Sequence, residues 1–281
     1  MSSILTNNGA MVALQTLKSV NDDLNTTQTS ISTGKEVGSA KDNAAVWAIS
    51  KTMESDVAGF EAIEEGLAVG EATVAVASAG AEQIVEKLTE MKELIVSAQS
   101  ENVDHAKIQT DIDSKVEQIT AIVSAAQFNG ANLLASDVDG NGASSMGVLA
   151  SLDRVGAGGA VTAVEISIST VDFESNLDMT TLTSISDTDS AASALGEIET
   201  FLQTAITGAA ALGASAARLE DQSEFVGNLV DAMTQGVSTM TDTNMEEASA
   251  RLSALQTQQD LAVQSLTIAN EAPGSLLQLF R

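Results

Sequence analysis

The sequence predicts a mainly α-helical protein in which both chain ends form a long coiled-coil helical hairpin or bundle, with a small β-rich outer insertion. Three observations predict this class. Apolar residues recur at steps of three and four over most of the chain, aromatic residues make up 2% of it, and 281 residues contain one proline. Small aliphatic side chains suit the close packing of long helices, and proline would interrupt them.

The C-terminal stretch, Met245 to Arg281, has the pattern of a coiled-coil seam. Its seam positions alternate steps of three and four residues, which places them on one face of a helix. They are Met245, Ala248, Leu252, Leu255, Gln259, Ala262, Leu266 and Ala269. From Leu261 onward the only charged residues are Glu271 and Arg281, so we expect this helix to be buried on more than one side.

The N-terminal stretch shares this scarcity of charge. Between Met1 and Asn21 the only charged side chain is Lys18, although the chain holds 39 acidic residues. An apolar stripe follows the helical period at Leu17, Val20, Leu24 and Ile31. The two stripes predict that the first helix pairs with the last, in either the parallel or the antiparallel direction.

The composition excludes several functions. A net charge of -27 argues against binding to nucleic acid and to anionic membrane surfaces, since both need a cationic surface. No apolar run reaches the length of a membrane span, and no basic segment precedes an apolar one, so we expect neither membrane insertion nor a cleavable signal peptide. The chain has no cysteine and therefore no disulfide or thiol chemistry.

A joint separates the first two predicted helices. Gly34 and Gly38 break the helical period, and Ser39 or Asp42 is suited to cap the next helix. The second helix is predicted from Ala44 to about Ser100. Four glycines in it either weaken the helix or mark sites of close helix approach, and they are Gly59, Gly66, Gly70 and Gly80.

A shorter third helix is expected to end at Phe128-Asn129-Gly130, where glycine can adopt the left-handed cap. The segment from Asp137 to about Asp187 is rich in Gly, Ser, Thr and Asp. Alternation from Val161 to Thr170 predicts a β-strand, so we expect short hairpins in a mobile insertion with a loop hinge at Gly156 to Gly159. From Ser190 the helical pattern resumes.

Short motifs in both halves resemble bacterial flagellin, the subunit of the flagellar filament. The N-terminal matches are Thr33-Gly34-Lys35, Ser39 to Ala45, Ala48-Ile49-Ser50, Met91 to Leu94, and Phe128-Asn129-Gly130 followed by Leu133-Leu134. The C-terminal matches are Leu212-Gly213-Ala214, Arg218-Leu219, Asp242 to Met245, and the ending Ala269 to Arg281. They cover about residues 1–134 and 190–281 in the family's order, which makes the resemblance specific.

The resemblance implies three structural regions. Residues 1–43 and 236–281 would form paired terminal helices that line an inner tube, and residues 44–135 and 189–235 would form a helical rod around it. Residues 136–188 would form a variable, surface-exposed, β-rich insertion. Subunit packing is then expected to rest on Leu17, Leu24 and Ile31 against Leu252, Leu255 and Leu266, and in the rod on Ile84, Leu88, Met91 and Ile95.

The resemblance also implies a function and partners. The chain would be a structural subunit that polymerises with itself into the extracellular filament for swimming motility. It would be secreted by the flagellar type III export apparatus with an export chaperone, and it would meet hook-associated junction and cap proteins. Two alternatives stay open: a hook-filament junction protein, and a monomeric secreted binding or adhesin module.

Two departures from the family pattern affect recognition and packing. Glu90 stands where well-recognised flagellins carry a basic residue, so we expect weak recognition by the flagellin-sensing Toll-like receptor. Ser30-Ile31 replaces the family's Arg before its Leu-Ser-Ser-Gly, which removes any polar contact of that Arg.

No set of residues predicts a catalytic, metal or cofactor site. The single histidine, His105, is interpreted as a structural polar residue near a helix start. Asp137 to Gly142 fits the first half of a Ca²⁺-binding loop, but Val148 stands where the bidentate Glu is required, which favours a surface turn over calcium binding. We therefore expect a protein without catalysis or cofactors.

Overall fold

The computed structural model describes residues 6–154 and 159–279, with the side chains of the last helix described as far as Ala272. It confirms the predicted fold class, because the described residues are mainly helical with one small antiparallel sheet. The predicted hinge at Gly156 to Gly159 lies outside the described residues except for its last glycine. The chain divides into two compact units, the first Met1–Val57 with Ala232–Arg281 and the second Ala58–Asp231.

The helices are α1 (Asn8–Thr33), α2 (Ala44–Ser97), α3 (His105–Ala125), α4 (Phe173–Asn176), α5 (Thr188–Thr241) and α6 (Met245–Leu279). The strands are β1 (Ser145–Arg154) and β2 (Val161–Ser169), and they pair in the antiparallel direction. The strand predicted from Val161 is thus present. None of the helices in the described part of the chain combines the length and apolarity that a membrane crossing needs.

In the first unit, α1 and α6 run antiparallel along each other. Asn7 donates to the carbonyl of Ala269 at 2.7 Å, and Gln259 donates to the side-chain oxygen of Asn21 at 2.6 Å. As the residue number rises along α1, the number of the partner residue on α6 falls. Pairing of the first helix with the last is confirmed, and its direction is the antiparallel one.

The joint between α1 and α2 is held by backbone pairing to the break between α5 and α6. Gly34 ends α1 in the left-handed region at φ 71, and its carbonyl accepts from Thr243 N at 2.9 Å. The cap predicted for α2 was wrong, since Asn43 rather than Ser39 or Asp42 accepts from Val46 N. The Asp42 carboxylate instead accepts from the N–H and the hydroxyl of Ser39, and these hydrogen bonds form a local turn within the joint.

The second unit has a closed apolar core. Parts of α2 and α5, together with α3, the segment after α3, β2 and α4, all contribute side chains that are almost completely buried. The largest are Phe173, Ile63, Leu67, Ile84, Leu88, Met91, Ile95, Ile112, Leu133, Leu134, Ile168 and Ile198. Asn132 fixes the segment that carries Leu133 and Leu134, because its amide donates to the Val123 carbonyl and its oxygen accepts from Leu134 N.

The predicted end of α3 was wrong. The helix ends at Ala125, and Asn129 and Gly130 form a separate two-residue turn with φ of 50° and 84°. Phe128 and Ala131 exchange backbone hydrogen bonds of 2.9 and 3.0 Å across it. Asn-Gly is the pair that tolerates positive φ at both central positions, so the sequence signal belonged to a tight turn and not to a helix cap.

The hairpin of β1 and β2 is seated on α2 and α5. A Cβ atom at Gly59 would lie 2.8 Å from Leu152, and one at Gly70 would lie 2.9 Å from Val148. Gln222 of α5 also donates to the Ala150 carbonyl at 2.8 Å. At Gly59 and Gly70 the group that approaches closely is therefore a strand side chain and not a helix. The hairpin, expected to belong to a mobile insertion, is packed against the two helices.

Candidate assembly surfaces

The seam between α1 and α6 matches the predicted spacing at most positions. Val20, Leu24 and Leu255 form a buried cluster, and Leu252 packs against it. Leu17, Ile31 and Leu266 are half-buried on the same helices. The structure therefore brings Leu24 and Leu255 together within one chain. Met245 departs from the pattern, because 47% of it is exposed.

The other faces of the same two helices carry exposed apolar side chains. Met11 and Leu14 on α1 are 64% and 59% exposed, and Leu261 and Ile268 on α6 are 56% and 70% exposed. We call this set, with the exposed Val12 and Val263, the apolar terminal surface. The scarcity of charge predicted that the last helix is buried on more than one side, but the seam analysis did not name these residues. Within one chain the structure leaves them exposed.

The apolar terminal surface borders a groove between the two helices. The groove measures about 460 Å³ and is lined by small and apolar residues of both helices, including Gly9, Ala13, Leu261 and Ala262. In water such a surface is unfavourable, because apolar area is stabilised by removal from solvent. Exposed apolar patches with polar surroundings are typical of sites that contact another protein.

The predicted rod residues lie inside the second unit. Ile84, Leu88, Met91 and Ile95 each have no exposed surface. They pack one face of α2 into the core of their own chain. Their part in contacts between subunits stays a prediction, and from these positions they would act only by holding the shape of the helix that carries the surface residues.

Several lysines pair with carboxylates across the second unit. Glu90 accepts from Lys87 at 2.7 Å on α2 and from Lys115 on α3. The hydrogen bond from Lys115, followed by that from Lys87, holds the pKa of Glu90 below its usual value. Lys92 of α2 pairs with Glu199 of α5 at 2.5 Å. These pairs join neighbouring helices on an otherwise acidic surface.

The Asp137 turn is closed by its own backbone. The Asp137 carboxylate accepts from the N–H groups of Asp139, Gly140, Gly142 and Ala143. The hydrogen bond from Gly142 is the main cause that lowers the pKa of Asp137. Within residues 6–154 and 159–279, no group of His, Cys, Asp or Glu side chains has the arrangement of a metal site.

His105 is the first residue of α3, as the structural interpretation expected. Its Nε2 lies 2.9 Å from the carbonyl oxygen of Ala98, just beyond the end of α2. The ring therefore links the end of one helix to the start of the next. His105 is the single histidine of the sequence, so it cannot form a pair with a second histidine.

Comparison with known proteins gives the same family in both halves of the chain. Residues 4–139 match the bacterial flagellin N-terminal helical region, and residues 195–280 match the bacterial flagellin C-terminal helical region. A flagellin of Brucella melitensis is 39% identical over 289 residues, which cover all of both chains. Flagellin FljM of Caulobacter vibrioides is 37% identical over 284 residues, covering 100% of this chain and 99% of its own.

Among solved structures, the crystal structure of Bacillus cereus flagellin matches 66% of this chain and 94% of its own at 16% identity, with a TM-score of 0.41. The motif resemblance, the paired terminal helices and the full-length similarity to named relatives agree. The chain therefore belongs to the bacterial flagellins, the family of structural subunits of the flagellar filament.

Proposed function

We propose that this flagellin polymerises with copies of itself into the extracellular flagellar filament used for swimming motility. The observation that carries the proposal is the apolar terminal surface on a chain of net charge -27. A subunit that worked alone would leave these side chains in water and would gain no free energy from their burial. Contact with further copies would bury them, and burial stabilises by roughly 25 cal/mol per Å² of apolar area.

The proposed filament subunit has the three regions expected from the resemblance. Residues 1–43 and 236–281 form the inner tube, residues 44–135 and 189–235 form the rod, and residues 136–188 face outward. The exposed apolar side chains of α1 and α6 support the first assignment, because an inner tube needs contacts on several faces of each helix. The Leu24–Leu255 cluster would then hold each helix pair together while neighbouring copies cover its other faces.

The role is structural, and we propose no catalytic step for it. Secretion by the flagellar export apparatus, an export chaperone, and contacts with hook-associated junction and cap proteins belong to the same proposal. The scarcity of charge on both terminal stretches supports a chaperone, since an unassembled subunit would otherwise expose adhesive surface.

We also propose weak recognition by the flagellin-sensing Toll-like receptor. Glu90 is acidic, so it brings no positive charge to the receptor. Its carboxylate is already bound by Lys87 and Lys115. A normal receptor response to purified monomer would contradict this part of the proposal.

Seeded elongation tests the polymerisation directly. Purified protein is added to short sheared filaments, and growth is followed by electron microscopy for the wild type and for Leu261→Asp. We expect wild-type growth and little or no growth of the variant, because the interface would bury an unpaired carboxylate in place of an apolar side chain. Leu261→Met is the matched control and should elongate normally.

Leu261 is 56% exposed, so the substitution should leave the unfolding midpoint of the monomer nearly unchanged. A Leu261→Asp protein that elongates at the wild-type rate would contradict the assignment of this surface. A wild type that never extends seeds and stays monomeric would contradict polymerisation itself and would favour a junction or binding protein.

A further inference from the structure

The methionines of the described chain differ in exposure, and the two exposed ones lie on the terminal helices. Met11 of α1 and Met245 of α6 are exposed, whereas Met91 of α2 has no exposed surface. The remaining described methionines are half-buried, and they are Met53, Met146, Met179, Met233 and Met240. Peroxides oxidise the methionine thioether to a sulfoxide. A peroxide in solution should therefore reach Met11 and Met245 before the other described methionines.

Met11 lies on the outer face of α1, within the apolar terminal surface. Leu14 follows it by three residues, which places both exposed side chains on the same face of the helix. Val20 comes about two and a half turns after Met11, on the opposite side of the helix. It packs there with Leu24 and Leu255. Met11 thus contributes to the surface proposed for association and not to the seam inside the subunit.

The helix around Met11 is held in place in the single subunit. The Met11 N–H donates to the Asn7 carbonyl at 3.1 Å. The Asn7 side chain in turn donates to the Ala269 carbonyl of α6 at 2.7 Å. The Met11 thioether is therefore presented to solvent from a fixed position on the helix pair.

Oxidation makes the Met11 side chain polar without giving it a charge. The thioether sulfur attacks one oxygen of hydrogen peroxide, the O–O bond breaks, and a sulfur–oxygen bond forms. The other oxygen leaves with both hydrogen atoms as water, so the sulfur loses two electrons and the peroxide gains them. Burial against apolar side chains would remove the sulfoxide oxygen from its hydrogen bonds with water, which is unfavourable.

Met245 is equally a target for peroxide but lies in polar surroundings. It is the first residue of α6 and is followed by the exposed Glu246 and Glu247. The side-chain oxygen of Asn244 accepts from the N–H groups of both glutamates. Met245 is not part of the apolar terminal surface, so its oxidation should leave association unchanged.

We propose that Met11 is an oxidation site that controls assembly, because a free subunit carrying its sulfoxide joins the polymer much more slowly. The inference rests on the proposed polymerisation and adds to it a chemical control of the apolar terminal surface. Methionine sulfoxides are reduced by dedicated reductases, so the control is reversible. Assembly itself would protect Met11, since neighbouring copies would then cover it.

Peroxide treatment followed by seeded elongation tests the inference. Monomers of the wild type, Met11→Leu and Met245→Leu are treated with dilute hydrogen peroxide, the peroxide is destroyed, and wild-type seeds are added. The quantity compared is the elongation rate of each protein after treatment relative to the same protein untreated. We expect this ratio to fall at least about tenfold for the wild type and Met245→Leu, and to stay near one for Met11→Leu.

Three further measurements accompany the elongation rates. Mass spectrometry of peptides from the treated wild type should show sulfoxide at Met11 and Met245, with Met91 intact. The unfolding midpoint of the treated monomer should be unchanged, because Met11 is exposed. Treatment with reductases for both sulfoxide epimers should restore elongation.

The outcomes separate this inference from the proposed polymerisation. A wild type with sulfoxide at Met11 that still elongates at its untreated rate would overturn the inference, while polymerisation would stand. An equal loss of rate in treated Met11→Leu, or an unmodified Met11 beside an oxidised Met245, would also overturn it. Failure of the untreated wild type to extend seeds would overturn both proposals together.

A substitution that imitates the sulfoxide gives a test without peroxide. Met11→Gln places a polar, uncharged side chain of similar length at the same position. It should elongate several-fold more slowly than Met11→Leu, with the same monomer unfolding curve, because both side chains are exposed in the free subunit. Equal elongation of the two variants would show that polarity at this position does not control assembly.

Discussion

The two units of the subunit treat their apolar side chains in opposite ways. In the second unit the large apolar residues, such as Leu88 and Phe173, are enclosed by their own chain. In the first unit the α1–α6 pair encloses only a narrow seam, and residues such as Met11 and Ile268 stay exposed. The contrast teaches that apolar residues of similar helical spacing stabilise the subunit in one unit and remain exposed in the other, where we propose that they serve association.

Charge follows the same division. Lysines of the second unit, including Lys87, Lys92 and Lys115, form ion pairs that link helices across its surface. The terminal stretches have few charges to arrange, and Lys18 is the only one among residues 6–21. Charged groups keep a surface in water, whereas their absence permits burial. The charged surface of the second unit is therefore suited to remain in water, whereas the charge-poor terminal stretches are suited to burial.

Matched truncations of two leucines should give the largest difference between the units. Leu88→Ala removes a fully buried side chain and is expected to lower the free energy of unfolding by about 2–5 kcal/mol. Leu14→Ala removes an exposed side chain and should change it by less than about 0.5 kcal/mol, yet it should weaken filament growth. Denaturant unfolding of the monomer and seeded elongation measure the two effects.

This comparison would be broken by a large loss of monomer stability in Leu14→Ala. Such a result would mean that the side chain is already packed in the free subunit. A Leu88→Ala monomer as stable as the wild type would equally contradict the enclosed core of the second unit.

A smaller effect is expected from the ion pairs, and it should depend on pH. The pKa of Glu90 is held below its usual value by Lys115 and Lys87, so its stabilising contribution is present above the usual pKa. That contribution is lost as the pH falls through the lowered pKa. Glu90→Gln should therefore be less stable than the wild type at neutral pH, with the difference vanishing in acid.

Glu93→Gln provides the control on the same helix, because Glu93 is exposed and has no ion-pair partner among the described residues. Its urea midpoint should follow that of the wild type closely at both pH values, since unpaired surface charges contribute little. A difference between Glu90→Gln and the wild type that is equally large in acid would show that the ion pairs are not its cause.

The helices and the seam could be predicted because helical periodicity depends on residues that are only three or four positions apart in the sequence. Val20, Leu24 and Leu255 were found from spacing alone, and the structure buries all three together. Their spacing holds no information on direction, since a stripe looks the same to a parallel or an antiparallel partner. The antiparallel direction is seen in contacts such as that of Asn7 with Ala269, which join residues far apart in sequence.

The remaining errors share a physical cause, which is competition between local signals. Ser39, Asp42 and Asn43 are all capable of capping a helix, and in the structure Asn43 is the cap while Asp42 binds Ser39. Glycines on α2 gave no hint of what approaches them, and Gly70 receives Val148 from a strand. The apolar terminal surface required a view of both faces of the paired helices, which spacing along one seam does not give.

Amide hydrogen exchange in the monomer and in the assembled filament tests the central claim most directly. If assembly buries the apolar terminal surface, the backbone amides of α1 and α6 should exchange much more slowly in the filament than in the monomer. The amides of α2 that flank Leu88 should already be protected in the monomer and should change little. Equal exchange of α1 and α6 in both states would contradict the claim that the terminal helices are completed by other copies of the chain.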